Sequence, residues 1–119
     1  MSGQPGNFIR THRRNAGLSQ RELGTVIGYG HGGAVSQHER VRSLPPLIIA
    51  ISYCIVLRAP LSELFAGVYE SVEQVVEGRL AQLEATLRES CKKRPRHAAA
   101  ARKLQWLDER RSMRNVPIE

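Results

Sequence analysis

The sequence has few aromatic residues, two cysteines and no long apolar run. Its 119 residues are 5% aromatic, and Cys54 and Cys91 lie far apart and match no metal-binding or redox spacing. We therefore expect a reducing cytoplasm and no metal or other cofactor. The longest apolar stretch, residues 44–57, is interrupted by prolines and polar residues, whereas a membrane helix requires about 18 apolar residues in succession. We expect no membrane partner.

Residues suited to catalysis are also scarce. Asp108 is the only aspartate, the four histidines are scattered, and the sequence shows no nucleophile–base pair or cluster of metal ligands. The first residues, MSGQPGN, lack the charged segment and apolar run of a secretory signal peptide. We therefore expect a cytoplasmic protein that is not an enzyme and has no catalytic residues.

Charge of both signs is present, but it is unevenly distributed. Residues 1–43 carry a net charge of +4, residues 44–91 a net charge of −3 and residues 92–119 a net charge of +6. The chain as a whole has a net charge of +7 and a pI near 10.3. This excess favours a polyanionic partner, with nucleic acid ahead of a membrane surface. The alternative is that the arginines of the first segment only form solvated faces.

The first third of the sequence predicts two short helices joined by a glycine-rich turn. Ser19 and Glu22 form the pattern S-x-x-E, a capping box that begins a helix ending at Gly28. Residues 29–33 form the turn, and residues 34–40 form the second helix. The side chains of the first helix that are expected to face inward are Leu23, Val26 and Ile27.

The second of these helices places apolar and polar residues on opposite sides. Val35 and His38 fall on the packed side, where His38 is expected to be structural, and Ser36, Gln37 and Arg40 are left to face outward. A helix with short polar side chains on its outer side, after a preceding helix and turn, is typical of the DNA-reading helix of a helix-turn-helix. We therefore expect it to contact the major groove of double-stranded DNA.

The periodicity of the remaining sequence predicts an all-α chain. The fourth predicted helix, residues 47–57, is apolar almost all round. We therefore expect it to be buried on more than one side, against a partner subunit or a helix downstream. In the fifth predicted helix, residues 60–67, we expect the side chains of Leu61, Leu64 and Phe65 to pack inward. The further helices are predicted at residues 8–15, 47–57, 60–67, 69–91 and 98–113.

The long helix from Tyr69 to Cys91 repeats apolar residues at nearly the spacing of a coiled-coil seam. It either pairs with a second chain or folds back onto its own domain, and we expect a homodimer through Tyr69–Cys91. The basic stretch that follows, residues 92–96, either lies along flanking DNA or is a solvated linker. The seam residues are Val72, Val76, Leu80, Leu83 and Leu87.

The order and spacing of these motifs resemble the helix-turn-helix domain of the lambdoid phage repressors and Cro, also called the xenobiotic-response-element family of bacterial regulators. The resemblance covers about half of the chain, residues 8–66. It implies a five-helix DNA-binding head over residues 1–67. The resemblance says nothing about residues 68–119, where periodicity alone predicts a helical extension. The matching residues are Arg13, Gly17 to Leu23, Gly28, Val35 to Gln37, Glu39, Pro46 and Leu61 to Phe65.

The turn between Gly28 and Val35 departs from this pattern. It is one residue longer than expected and contains Gly30, Gly32 and Gly33, so glycines stand where the family usually caps its recognition helix and reads bases. Glycines there let the backbone approach phosphate closely, or they only allow the turn to form.

The resemblance also implies roles for individual residues. Ser36 and Gln37 are expected to read bases, since glutamine can form two hydrogen bonds to adenine. His31, in the turn, either contacts DNA with them or is an ordinary surface residue. Arg13 and Glu39 form an ion pair in relatives, and we expect the same structural pair here. The residues expected to contact phosphate are Gln20, Arg21, Gly32, Gly33, Arg40 and Arg42.

These observations favour a sequence-specific regulator of transcription, more a repressor than an activator, that binds a two-fold-related operator as a homodimer. An alternative is an antitoxin-like protein whose C-terminal half binds a partner protein while the head regulates its own operon. A further alternative is a protein that coats chromosomal DNA with little sequence preference. We expect it to be cytoplasmic, of bacterial or phage type, and associated with the nucleoid.

Overall fold

The computed structural model describes residues 6–96 and 98–114, and these residues contain seven helices and no β-strand. The prediction of an all-α chain is therefore confirmed. No helix among the described residues is long and apolar enough to cross a membrane. By its internal contacts the chain divides into two compact units, which we call the head unit, up to Glu73, and the tail unit, from Gln74 onward. The helices are α1 Ile9–Asn15, α2 Gln20–Ile27, α3 Gly33–Glu39, α4 Leu47–Leu57, α5 Leu61–Leu64, α6 Ala66–Lys93 and α7 Ala98–Arg114.

One core holds the head unit together, and each of its first five helices contributes a fully buried side chain. These side chains are Ile9, Leu23, Val35, Tyr53 and Leu64. Helices of this length are marginal in water on their own, so burial of their apolar sides in a common core stabilises them. The orientation of α3 therefore depends on the helices that share this core with it.

Local signals in the sequence set the boundaries of α1 and α2. The hydroxyl of Ser19 accepts a hydrogen bond from the N–H of Glu22 at 3.0 Å, and the Glu22 carboxylate accepts one from the N–H of Ser19 at 2.9 Å. The predicted capping box is thereby confirmed, and these bonds hold the pKa of Glu22 below its ordinary value. Gly17, just after α1, has a φ of 77°, and Gly28, which ends α2, has a φ of 110°. Both glycines therefore lie in the left-handed region that ends helices.

The ends of α3 and α4 use the same left-handed geometry without glycine. After α3, Val41 has a φ of 57°. Its N–H donates to the carbonyl of His38 at 3.1 Å, and the next N–H, of Arg42, donates to Gln37 at 3.0 Å. Arg58 has a φ of 55° after α4. A β-branched residue rarely adopts this region, because its Cβ crowds the neighbouring carbonyl at a cost of about 1–2 kcal/mol.

Replacing Val41 with glycine is therefore expected to raise the free energy of unfolding by about 1 kcal/mol, since the strain is relieved while the greater freedom of unfolded glycine offsets part of the gain. Urea unfolding followed by circular dichroism measures the change. Val26→Gly is the matched control, because the same substitution inside α2 only weakens the helix. A loss of stability in Val41→Gly would contradict the expectation.

Two details of the central helices differ from the prediction. Val26 is 63% exposed rather than inward, because the buried side of α2 is centred on Leu23 and Ile27, and Val26 lies about a quarter turn beyond it. α3 begins at Gly33, one residue early, and ends at Glu39.

The predicted fifth helix is also wrong in its extent. It is a single turn, Leu61–Leu64, and Gly67 lies inside α6 instead of ending α5. Phe65 separates the two helices because its backbone, with φ of −116° and ψ of 43°, is not helical. Its carbonyl accepts the N–H of Tyr69 at 2.8 Å, within the first turns of α6. Phe65 is buried as predicted, whereas Leu61 is 42% exposed.

In the tail unit, α7 and the second half of α6 pack through their apolar sides. Arg111 donates to the Glu84 carboxylate at 2.9 Å, and this bond holds the pKa of Glu84 below its ordinary value. Leu80 and Leu87 of the predicted seam thus have partners within the chain. Pairing through Tyr69–Cys91 stays a prediction. The packed residues are Leu80, Leu87, Cys91, Ala100, Leu104 and Leu107.

Candidate nucleic-acid interface

The predicted DNA-reading helix, α3, has one buried side and one outward side. Val35 is fully buried and His38 is 4% exposed, so the core fixes the side of the helix that bears them. Gln37 and Arg40 are exposed, and Ser36 is half-buried. The predicted division of the helix therefore agrees with these exposures, except that Ser36 lies at the boundary between the two sides.

A hydrogen bond between His38 and Tyr53 fixes the rotation of α3 about its own axis. The imidazole Nδ1 of His38 lies 2.7 Å from the hydroxyl of Tyr53, a residue of α4, and the two rings meet edge to face. Burial lowers the pKa of His38 and raises that of Tyr53, so both side chains are neutral near pH 7. The amide of Asn7 donates to the carbonyl of His38 at 2.9 Å. His38 is thus a structural residue.

An ion pair joins the end of α3 to α1 and α2. The Nε of Arg13 lies 2.6 Å from the Glu39 carboxylate, and the side chains are 11% and 3% exposed. Arg13 also donates to the carbonyl of Leu18 at 2.9 Å. Gln20, predicted to bind phosphate, donates its side-chain amide to Glu39 at 3.1 Å. Sequence reasoning did not identify this structural partner of Gln20.

The turn before α3 lies against the first turn of α2. A Cβ placed on Gly32 would lie 3.0 Å from the backbone nitrogen of Arg21 and the carbonyl carbon of Gln20, so only glycine fits here without displacing backbone. Four predicted phosphate contacts are thereby brought together. They are Gln20, Arg21, Gly32 and Gly33.

His31 caps α3 in place of the missing N-cap side chain. Its Nδ1 accepts the N–H of Gly33 at 3.0 Å, and the ring is exposed. With Nδ1 engaged as the acceptor, Nε2 is the ring nitrogen left to contact another group. Since the N–H of Gly33 is already bonded, a phosphate contact by that group requires the bond to His31 to open.

Gly24 is a positioning residue that sequence reasoning missed. It is buried in the middle of α2, and a Cβ there would overlap the carbonyl oxygen of His31. The absence of a side chain lets the turn pack directly on α2 and so determines where α3 begins. The available signal was a glycine inside a predicted helix, which often marks the close approach of another backbone.

Three arginine side chains are exposed around α3 and the first turn of α2. Arg40 is the C-cap of α3, Arg42 follows two residues later, and Arg21 lies in the first turn of α2. Glu39 is the one acidic residue of α3, and its charge is paired with Arg13 beneath the surface. The exposed charge of α3 and its C-terminal turn is therefore positive.

The outward side of α3, the turn and the first turn of α2 form what we call the polar surface. Its amide, hydroxyl and imidazole groups can bond base edges, and its arginines can bond phosphate oxygens. No group of three or more potential metal ligands occurs within residues 6–96 and 98–114. No protein-family model, no curated protein and no solved structure matches the chain.

Proposed function

We propose that this protein is a sequence-specific regulator of transcription that binds double-stranded DNA as a homodimer. In this proposal the five helices of the head unit form a DNA-binding head like that of the lambdoid repressors, and α3 enters the major groove. One observation carries the proposal: buried Val35 and His38 fix one side of α3, which leaves Gln37 and Arg40 exposed and Ser36 half-exposed.

The dimensions and side chains of α3 suit a DNA groove. Its seven residues span about 10 Å at a rise of 1.5 Å each, and the major groove, about 12 Å wide, admits an α-helix. Gln37 can form two hydrogen bonds to adenine N6 and N7, and Ser36 can donate or accept one. Because Gly32 and Gly33 have no side chains, the last side chain before Ala34 in the sequence is that of His31.

Contacts to the DNA backbone fall to the exposed arginines at the edges of the polar surface. The planar guanidinium groups of Arg21, Arg40 and Arg42 can each hold a phosphate with two hydrogen bonds. Such contacts give affinity and register without reading sequence, and they weaken as salt rises because counterions are released on binding.

Dimeric binding follows from the number of contacts. One copy of α3 reaches few bases, whereas two copies on half-sites one helical turn apart double the contacts made. Occupation of promoter DNA blocks a polymerase without any further interaction, so we propose repression as the direction of regulation.

Replacing Gln37 with alanine is expected to relax base preference at one position in each half-site. One bidentate contact contributes about 1–3 kcal/mol of discrimination, so the preference at that position should fall by roughly 5- to 150-fold. Selection of bound fragments from random duplex DNA by the two proteins, followed by titration of the selected duplex, measures the change.

Gln74→Ala is the matched control, because it removes the same amide from an exposed residue of α6 that is not part of the polar surface. It should leave the selected sequence unchanged. If Gln37→Ala keeps the full preference at every position, Gln37 does not read bases. If the wild type binds random and selected duplexes equally at two salt concentrations, the protein coats DNA and the proposal fails.

A further inference from the structure

The outward side of α4 is apolar and exposed. The helix is buried through Ala50, Tyr53 and Leu57 on its other side. Residues 6–96 and 98–114 do not bury the outward side, so the expected burial against a partner subunit stays a prediction. Exposed apolar patches of several hundred Å² mark interaction sites in soluble proteins. The exposed residues, which we call the ridge, are Leu47, Ile48, Ile51 and Ile55, with exposures of 71%, 76%, 48% and 71%.

An apolar groove of about 370 Å³ lies beside the ridge. It is lined by buried Ala50 and Phe65 and by exposed apolar residues of the head unit. Ala50 lies about one helical turn after Leu47, so the ridge and the groove adjoin and form one surface, which we call the apolar face. The exposed residues of the groove are Leu44, Leu61, Tyr69 and Val72, with exposures of 62%, 42%, 45% and 55%.

The apolar face is large enough for a stable protein interface and carries little charge. From the fractional exposures, its eight exposed residues present on the order of 800 Å², which is what each partner contributes to an interface of standard size. No charged residue occurs from Leu44 to Leu57. Such a surface suits a partner that is itself apolar and uncharged.

We propose that the apolar face binds the same face of a second copy of this chain. A two-fold interface requires a surface that is complementary to itself, and a ridge beside a groove meets this requirement because each ridge can lie in the other chain's groove. Each chain has a net charge of +7, so an uncharged face is where two copies approach with least repulsion. This inference deepens the proposed function by naming the surface that forms the dimer. It rests on that function only in requiring that a dimer exists.

Pairing through this face leaves the outward side of α3 free, and Arg42 marks the edge of the face, where it lines a pocket with Leu44 and Val72. Tyr53 contacts His38 of α3 from the buried side of α4, whereas Ile51 and Ile55 lie on the other side of that helix. Two copies of α3 therefore remain uncovered in the dimer. The predicted seam of the long helix offers less apolar surface, since Leu80 and Leu87 pack within the tail unit.

The test is the mass of the full chain in solution, without DNA, by sedimentation and light scattering over a wide concentration range. We expect the wild type to have twice the 13.3 kDa mass of one chain. Ile48→Glu on the ridge and Leu44→Glu in the groove should each raise the dimer dissociation constant by more than about 100-fold, because each dimer would bury two unpaired carboxylates. Circular dichroism should show unchanged helix content, since both positions are exposed.

Two further variants make the result decisive. Val26→Glu adds the same charge at an exposed valine of α2 and should leave the dimer intact. Leu83→Glu, on the predicted seam of α6, should also leave it intact. A monomeric wild type, a dimer that persists in Ile48→Glu or in Leu44→Glu, or a dimer lost only in Leu83→Glu overturns the inference. The mass measurement contains no DNA, so its result does not depend on DNA binding. If the chain is a dimer through this face but binds no duplex in a separate titration, the proposed function is refuted and the inference stands.

Discussion

Replacing Glu39 with alanine is expected to destabilise the head unit by about 3–5 kcal/mol, the typical cost of removing one member of a buried ion pair. The carboxylate is 3% exposed and accepts hydrogen bonds from Arg13 and Gln20. Without it, the Arg13 guanidinium keeps its charge but loses its counterion in a site that water barely reaches. Because the pair joins α1 and α2 to the end of α3, binding of DNA should be lost along with stability.

A double variant separates the net contribution of the ion pair to stability from the cost of leaving one charge unpaired. Replacing both residues, Arg13→Met with Glu39→Leu, removes both charges, and apolar replacement of a buried pair is often close to neutral. Urea unfolding of the wild type, Arg13→Met, Glu39→Leu and the double variant should therefore show that the double variant is more stable than Glu39→Leu. Additive losses would mean that the two side chains act independently, contrary to the geometry.

The parts of the head unit that the sequence predicts well are those decided within a few residues. The capping box at Ser19 and the left-handed turns at Gly17 and Gly28 each depend on neighbouring side chains and on backbone preference. The apolar spacing of α3 likewise places Val35 and His38 inward without knowledge of the fold. The pairing of Arg13 with Glu39, by contrast, came only from the family resemblance.

The features that the sequence does not predict depend on contacts between elements. His31 caps α3 only because the turn folds back on the N–H of Gly33, and no pattern of spacing distinguishes that contact from an exposed turn residue. α4 has the composition of a helix buried on all sides. Whether another part of the chain covers it is a property of the whole fold, and in this chain Ile48 and Ile55 stay exposed.

Replacing Gly24 with alanine is expected to destabilise the head unit by about 1–3 kcal/mol, although alanine is the better helix former by about 1 kcal/mol. A Cβ on Gly24 would overlap the carbonyl oxygen of His31 and would lie 2.8 Å from its carbonyl carbon. Both atoms belong to the backbone, so no side chain can rotate away and the turn itself must move. Since that turn begins α3, affinity for DNA should fall as well.

Gly78→Ala is the matched control, because Gly78 also lies inside a helix, α6, but a Cβ there would meet nothing within 4 Å. That substitution should stabilise its helix by about 1 kcal/mol. Circular dichroism during urea unfolding, with duplex titrations of both variants, should therefore give changes of opposite sign in stability and a loss of affinity only at Gly24. A gain in stability at both glycines would mean that the turn before α3 moves without cost. The packing of that turn on α2 would then not be what positions the DNA-reading helix.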